Sequence, residues 1–286
     1  MSGSLPTGWR CWVGLATIAI CAFAIPATAA TTELVYGGIP LATDMLGGLA
    51  AAEFVVLPSR AFVVGYSDTR MNPLWACYRV DATIVGETWK SVSWRVDPRT
   101  TARVADADYA HTAGDYDRGH MAPRAAILRC FGQEAAAETY RLSNASPQLH
   151  ALNDGIWGDL EDVLREEYSQ TLGDVWVTVG PIFDDGNGRA FLTKEPDYVS
   201  RPQKPVEIPD AFYAIVVDLE GGIPRALAFR MPHEVPERTT ATRKERLAAY
   251  LTSIDELEAL TGLDFLWLLD DETEAELEKS VAQALW

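Results

Sequence analysis

An α+β domain with a mainly antiparallel central β-sheet and helices packed on its faces is the fold class this sequence predicts. Three observations carry it. β-rich runs come in neighbouring pairs split by turn residues, helical periodicity appears between and after them, and no Gly-, Ser- or Pro-rich break divides the chain. The 286 residues are 48% hydrophobic and 23% charged, which suffices for a sizeable core in one large domain or at most two small ones.

Arg10 is followed by an apolar run from Cys11 to Ile25 and then by Ala27-Thr28-Ala29, the pattern of a cleaved signal peptide over 1–29. The run falls short of the roughly twenty residues that span a bilayer, so cleavage is preferred to anchoring. Cys21 invites a lipid anchor, but Ile20 occupies the place of a small residue. Residues 30–58 carry no sharp motif and read as an irregular lead-in, with the domain proper over 59–286.

Phe62–Tyr66 and Trp75–Val80 are β-rich and separated by the turn chemistry of Ser67–Pro73, which predicts a hairpin. Residues 87–117 are polar, lack sustained periodicity and read as a long loop. Ile156, Trp157, Leu160, Val163 and Leu164 recur at helical spacing between Asn153 and Tyr168, with Asn153 and Asp154 at the capping end. Val175–Val179, Phe212–Val217 and Ala226–Phe229 are strand candidates, and 242–260 and 272–284 return to helical patterning. There is no internal repeat.

The net charge of −17 argues against a surface that coats nucleic acid, because phosphate binding relies on clustered Lys and Arg. Location matters more than the sum. From Asp255 onward Lys279 is the only basic residue among ten acidic ones, whereas Arg118, Arg124 and Arg129 fall close together. At physiological salt the Debye length is about 8 Å, so a distant acidic tail barely reaches a local basic groove.

Candidate chemistry concentrates in Asp117-Arg118-Gly119-His120 with Pro123, then Asn144, Pro147-Gln148, Asn153, Trp157 and Glu161. Hydrolysis of a phosphodiester needs a base for water, positive charge for the transition state and stabilisation of the leaving oxygen. His120, Arg118 and a metal would supply these in turn. Asn153 and Glu161 lie eight positions apart on one helix and project within about 80° of each other. An amide oxygen plus waters is a hard-oxygen shell suited to Mg²⁺. His111, His150 and His233 read as packed or solvated residues.

These segments resemble the DNA/RNA non-specific endonuclease family of the ββα-metal superfamily. Asp117-Arg118-Gly119-His120 with Pro123 is similar to its catalytic motif. Ser143-Asn144-Ala145-Ser146-Pro147-Gln148, Asn153, Trp157, Leu160 and Glu161 are similar to its second motif. Asn72-Pro73-Leu74-Trp75 through Tyr78, Gly180-Pro181-Ile182-Phe183 and Leu260–Phe265 extend the likeness over roughly residues 60–275. The resemblance implies a ββα-metal nuclease fold, DNA and RNA as substrates, 5′-phosphate products, and Mg²⁺ as cofactor with Mn²⁺ as the alternative.

By the same resemblance His120 is the general base, Asn153 the direct metal ligand and Glu161 a metal contact through water, while Arg118 and Asn144 support the scissile phosphate and the site geometry. One departure stands out: Val92 occupies a place where some relatives carry an arginine, and Arg95 or Arg99 could substitute, although the reading of both as solvated loop arginines is preferred. Arg124 and Arg129 read equally as groove contacts or surface residues, and Arg79 as structural.

A metal-dependent phosphatase would use similar chemistry but usually needs more carboxylate ligands. A non-catalytic nucleic-acid-binding or secreted interaction module has no use for a base beside a metal. A secreted or periplasmic location follows from the leader, with no stable membrane insertion after cleavage and an inhibitor protein admitted as a partner. Cys77 and Cys130, the cysteines left in the mature chain, are expected to form a disulfide in an oxidising compartment, against the alternative of two buried thiols.

Overall fold

A computed structural model describes residues 33–43, 54–109, 116–183, 190–192, 206–236 and 239–286. The leader over 1–29 with Cys11 and Cys21, the middle of the lead-in, and His111 lie outside them. Among the described residues no helix is long and apolar enough to cross a membrane.

The centre is a seven-stranded sheet in which every pairing is antiparallel, in the order β12, β11, β10, β7, β4, β3, β2. These strands are β2 (Val55–Pro58), β3 (Phe62–Ser67), β4 (Asn72–Val80), β7 (Val175–Ile182), β10 (Ala211–Glu220), β11 (Ile223–Pro232) and β12 (Leu251–Thr252). The β3–β4 hairpin and the later strands fall where the sequence placed them. Both faces of the sheet are covered, so the strands read as nearly continuous apolar runs. Alternate side chains divide between two cores. Phe62, Val64, Tyr78, Val177 and Phe212 serve the first, and Val63, Trp75, Tyr213 and Ile215 the second.

The first face carries a two-stranded ribbon, β5 (Tyr116–His120) paired with β6 (Ala145–Leu149), and the helix α1 (Arg124–Glu138) between them. A second helical run, α2, covers residues 150–171, followed by β7. The second face carries α4 (Ile254–Thr261), β13 (Leu263–Asp264) and α5 (Asp271–Lys279), and β1 (Leu41–Ala42) pairs with β13. The remaining pieces are the short pair β8 (Ala190–Phe191) and β9 (Glu207–Ile208) and the helix α3 (Arg243–Ala248). This is the α+β, helix-flanked antiparallel architecture expected.

Four local expectations differ. The lead-in is not irregular where described: it contributes β1 and the edge strand β2. The helical pattern over 242–260 is broken, because Leu251 and Thr252 pair with Phe229 and Ala228 of β11. The helix read from Asn153 starts at His150, so Asn153 and Asp154 lie inside its first turns and do not cap it. The disulfide does not form. Cys77 belongs to the second core and lies 3.3 Å from Thr178 Oγ1, while Cys130 belongs to the first and its Sγ faces the Asp81 carbonyl at 3.7 Å. The sheet stands between the two thiols, and burial pushes Cys77 up to about 12, so it stays an unreactive thiol.

Candidate functional site

The ribbon builds the site from its own packing. Its register sets Asp117 opposite Gln148, Gly119 opposite Ser146 and His120 opposite Ala145. A Cβ on Gly119 would lie 1.8 Å from Gln148 Oε1, and Gln148 is fully buried, so only glycine allows the strand to run this close beneath that side chain. Beyond His120 the chain is clasped by Asn144. The Met121 N–H donates to the Asn144 carbonyl (2.9 Å) and the Ala122 N–H to its Oδ1 (2.9 Å), while its Nδ2 donates to the carbonyls of Ala122 (3.0 Å) and Thr139 (3.1 Å). Asn144 is fully buried and both amide hydrogens are used. Of the two tasks the resemblance implied, it therefore serves the geometry, with no donor left for a phosphate.

His120 ends β5 inside an aromatic enclosure. Trp94 lies 4.6 Å from its ring, Tyr140 meets it edge-on at 5.0 Å, and Trp89 stacks on Tyr140 at 5.2 Å. Its Nε2 is buried and makes no hydrogen bond. Burial first, and the positive charge of Arg124 second, pull the imidazole down to about 3. It is accordingly neutral at physiological pH, the protonation state that can accept a proton.

Asn153 is oriented by Asp117. Its Nδ2 donates to Asp117 Oδ2 (2.9 Å), the same oxygen that His150 Nδ1 meets at 2.8 Å. A carboxylate only accepts, so this contact fixes the amide nitrogen toward Asp117 and leaves Oδ1, a hard ligand atom, without a hydrogen-bond partner among the described residues. The helical run carrying Asn153 contains two π-turns, Asn153–Trp157 and Val163–Tyr168, flanking the α-turn Gly158–Asp162 that holds Glu161. Trp157, Leu160, Val163 and Leu164 bury the opposite side of this run in the first core. Burial pushes Glu161 up to about 8, with Arg165 opposing and Asp162 adding to the rise. A carboxyl enclosed this way, on the same helical run as an amide oxygen held outward by Asp117, suits a hard divalent cation that would restore its charge.

The arginines sort clearly. Arg118 is turned to Asp106 (Nε to Oδ1 2.7 Å) and lies 5.5 Å over Tyr109, so part of its charge is already matched. Arg95 donates to the Ala137 carbonyl (2.7 Å), and Arg99 grips Asp97 with two nitrogens (2.9 and 2.6 Å) and the Pro58 carbonyl with a third (2.6 Å). Both guanidiniums are thus engaged within the protein. Arg129 donates to the Asp81 carbonyl (2.7 Å) and Arg79 pairs with Asp81 (3.1 Å) and Asp174 (3.3 Å), both structural. Arg124 is different: it lies 5.2 Å over the Trp89 ring, makes no ion pair among the described residues, and its charge acts on both His120 and Glu161.

His233 is structural, accepting from the Leu149 N–H at Nε2 (2.8 Å) and lying 2.6 Å from the Pro209 carbonyl at Nδ1. His150 is exposed at the edge of the site, raised by its hydrogen bond to Asp117. A cleft of about 470 Å³ runs beside the start of the same helical run, between His150, Asp154, Asp159, Arg246 and Tyr250, and contains none of His120, Asn153, Glu161 or Arg124. Asp117 and the ring pair Trp94 and Tyr140 were not singled out for a role in the sequence. Asp117 sits in the motif itself, but nothing in the spacing says which side chain it orients.

The family model for DNA/RNA non-specific endonuclease matches residues 53–272. A nuclease of Nostoc sp. is 30% identical over 233 residues, covering 77% of this chain and 76% of its own. A nuclease of Serratia marcescens is 27% identical, covering 78% and 79%. The mitochondrial nuclease EXOG of Mus musculus is 28% identical over 72% of this chain, which spans only 55% of that protein. A solved structure of the EndoG/EndoGI complex shares the fold at a TM-score of 0.62 and 22% identity, covering 76% of this chain and 88% of the solved one. The chain belongs to the DNA/RNA non-specific endonuclease family.

Proposed function

We propose that this protein is a Mg²⁺-dependent endonuclease that hydrolyses phosphodiester bonds of DNA and RNA without sugar preference and leaves 5′-phosphate ends. The observation that carries this reading is the pairing of a neutral, enclosed imidazole on His120 with the guanidinium of Arg124, which has no ion-pair partner among the described residues. Nε2 being closed off, Nδ1 of His120 takes the proton from the attacking water. Arg124 holds the phosphate and stands in for the arginine absent at Val92. Arg118 adds positive charge from the same strand once its partner Asp106 yields.

Asn153 presents Oδ1 to the metal, Asp117 keeps that amide from turning, and Glu161 reaches the metal through water. A divalent cation bound there supplies positive charge to the transition state and the leaving oxygen. The aromatic walls of Trp94 and Tyr140 hold the ring in place and keep bulk water from its far nitrogen.

The leader supports export to the periplasm or medium. An inhibitor protein is a partner suggested by the EndoG/EndoGI neighbour. Conversion of supercoiled plasmid to nicked and linear forms, with parallel cleavage of a structured RNA, is expected in Mg²⁺ and not in EDTA. Equal conversion in EDTA would overturn the metal requirement, and no conversion in Mg²⁺ or Mn²⁺ would overturn the activity.

A further inference from the structure

Far from this site, on the other face of the sheet, five carboxylates converge where no cation answers them. Asp255 and Glu258 come from α4, Asp264 from β13, and Glu274 and Glu278 from α5. One oxygen from each of Asp255, Glu258 and Glu278 lies within 4.8 Å of the others, and the same holds for Asp264, Glu274 and Glu278. Among the described residues no Lys or Arg forms an ion pair with any of the five. Glu278 is common to both groups. It is only 9% exposed, its carboxylate offers an oxygen to both groups, and its Oε1 is buried without a hydrogen-bond partner among the described residues.

A buried, unpartnered carboxylate oxygen is costly, and like charges at this spacing repel. Apolar packing alone does not require the arrangement. Ile254, Leu257 and Leu277 join the second core from the same helices and would hold them together with neutral side chains at these positions. Glu258 has a structural share of its work, since its Oε1 accepts the Phe265 N–H at 2.8 Å and its carboxyl shares a hydrogen bond with Glu278, but that leaves the buried Oε1 of Glu278 to be explained.

We propose that this cluster is a calcium site centred on Glu278, joining α5 to α4 and β13. Ca²⁺ takes six to eight oxygens in flexible geometry, which several carboxylates from three elements supply, whereas Mg²⁺ prefers few protein ligands and retains its waters. The bound cation neutralises the cluster and pins the last helix to the body of the protein. The site is independent of the nuclease reading, because it shares no residue with Asn153, Glu161 or His120.

Calorimetric titration with CaCl₂, on the full chain carrying Asn153→Ala so that the nuclease metal contributes nothing, tests it. Saturable binding is expected, with a rise in Tm of about 5 °C when Ca²⁺ stands at a hundred times its Kd. Glu278→Gln abolishes both; should that variant fail to fold, Asp264→Asn on the partly exposed side lowers the affinity at least tenfold. Absence of heat and of a Tm shift, or binding that survives Glu278→Gln unchanged, would overturn the proposal in favour of carboxylates that share protons. An equal shift from Mg²⁺ would overturn the choice of calcium.

Discussion

His120 is held as a neutral ring, and two measurable consequences follow. His120→Ala removes the proton acceptor and should lower turnover by about 10²–10⁴-fold. Retention of more than a tenth of wild-type turnover by a folded variant would remove His120 from that role. The second consequence concerns acid stability. The folded-state value near 3 lies below the ordinary 6.5, so between these limits the unfolded chain binds the extra proton. Stability that the neutral ring contributes at pH 7 is therefore lost as pH falls below 6.5, by about 2 kcal/mol at pH 5. Glu161, Glu258 and Glu278, raised to about 8, 7 and 8, act in the opposite sense as pH rises through 4.5–8. The informative quantity is thus the difference between wild type and His120→Gln in urea unfolding at pH 7 and pH 5 in EDTA. Parallel courses would show that the ring is not kept neutral. Asn153 makes a separate prediction: Asn153→Ala raises the metal concentration at half-activity as well as lowering the rate. Asp117→Asn, which keeps the shape but can present an N–H to the amide, shifts the same midpoint in the same direction. A wild-type midpoint for Asn153→Ala would point to another ligand.

At the scale of elements, Asn144 ties the end of β5 to the start of α1. Asn144→Ala orphans the Ala122 N–H and the carbonyls of Ala122 and Thr139, and at about 1–3 kcal/mol for a buried unsatisfied group the loss is about 3 kcal/mol or more. Urea midpoints check this; a loss under 1 kcal/mol would mean that water replaces the clasp. The strands of the central sheet were legible because turn residues bracket them and their runs are β-branched and aromatic. The catalytic segments were legible because their spacings are specific. α1 was not: its Ala-rich sequence has little amphipathic contrast, and Gly132 at φ +83° breaks it where the Gln133 N–H turns to Glu87 (2.6 Å). The break at Leu251 and Thr252 was hidden because these residues continue a helical pattern locally, and only pairing with β11 decides otherwise. The role of Arg124 lay equally out of reach. An arginine at the first turn of a helix says nothing of the aromatic ring beneath it or of the absence of an acidic partner.

For the molecule as a whole, a net charge of −17 and a polyanionic substrate are compatible in part because the sheet separates the site from the most acidic segment, where ten carboxylates stand against Lys279 from Asp255 onward. The ribbon, α1 and the helical run with Asn153 and Glu161 pack on one face, while α4 and the acidic cluster lie on the other. Solvent-exposed charges on the two faces stand at least two packed layers of roughly 10 Å apart, well beyond the Debye length of about 8 Å that screens such charges at physiological salt. Attraction of substrate is thus a local matter of a few cations at the site. Each phosphate neutralised releases counterions and contributes about −0.9 to the slope of log K against log salt on duplex DNA. With Arg118 partly matched by Asp106 and Arg95 and Arg99 bound internally, the slope should be shallow for a nuclease, and Arg124 should account for about one phosphate of it. Equilibrium binding of a short duplex to the His120→Ala protein, followed over a range of NaCl, measures the slope without cleavage. Adding Arg124→Ala should weaken binding and flatten the slope by about 0.9. Replacing the exposed Glu272 and Glu276 by Gln, on the far face, should leave it unchanged. An unaltered slope on loss of Arg124 would return the phosphate contact to Arg118, while a slope that moves with the far-face pair would show that the acidic side reaches the site after all.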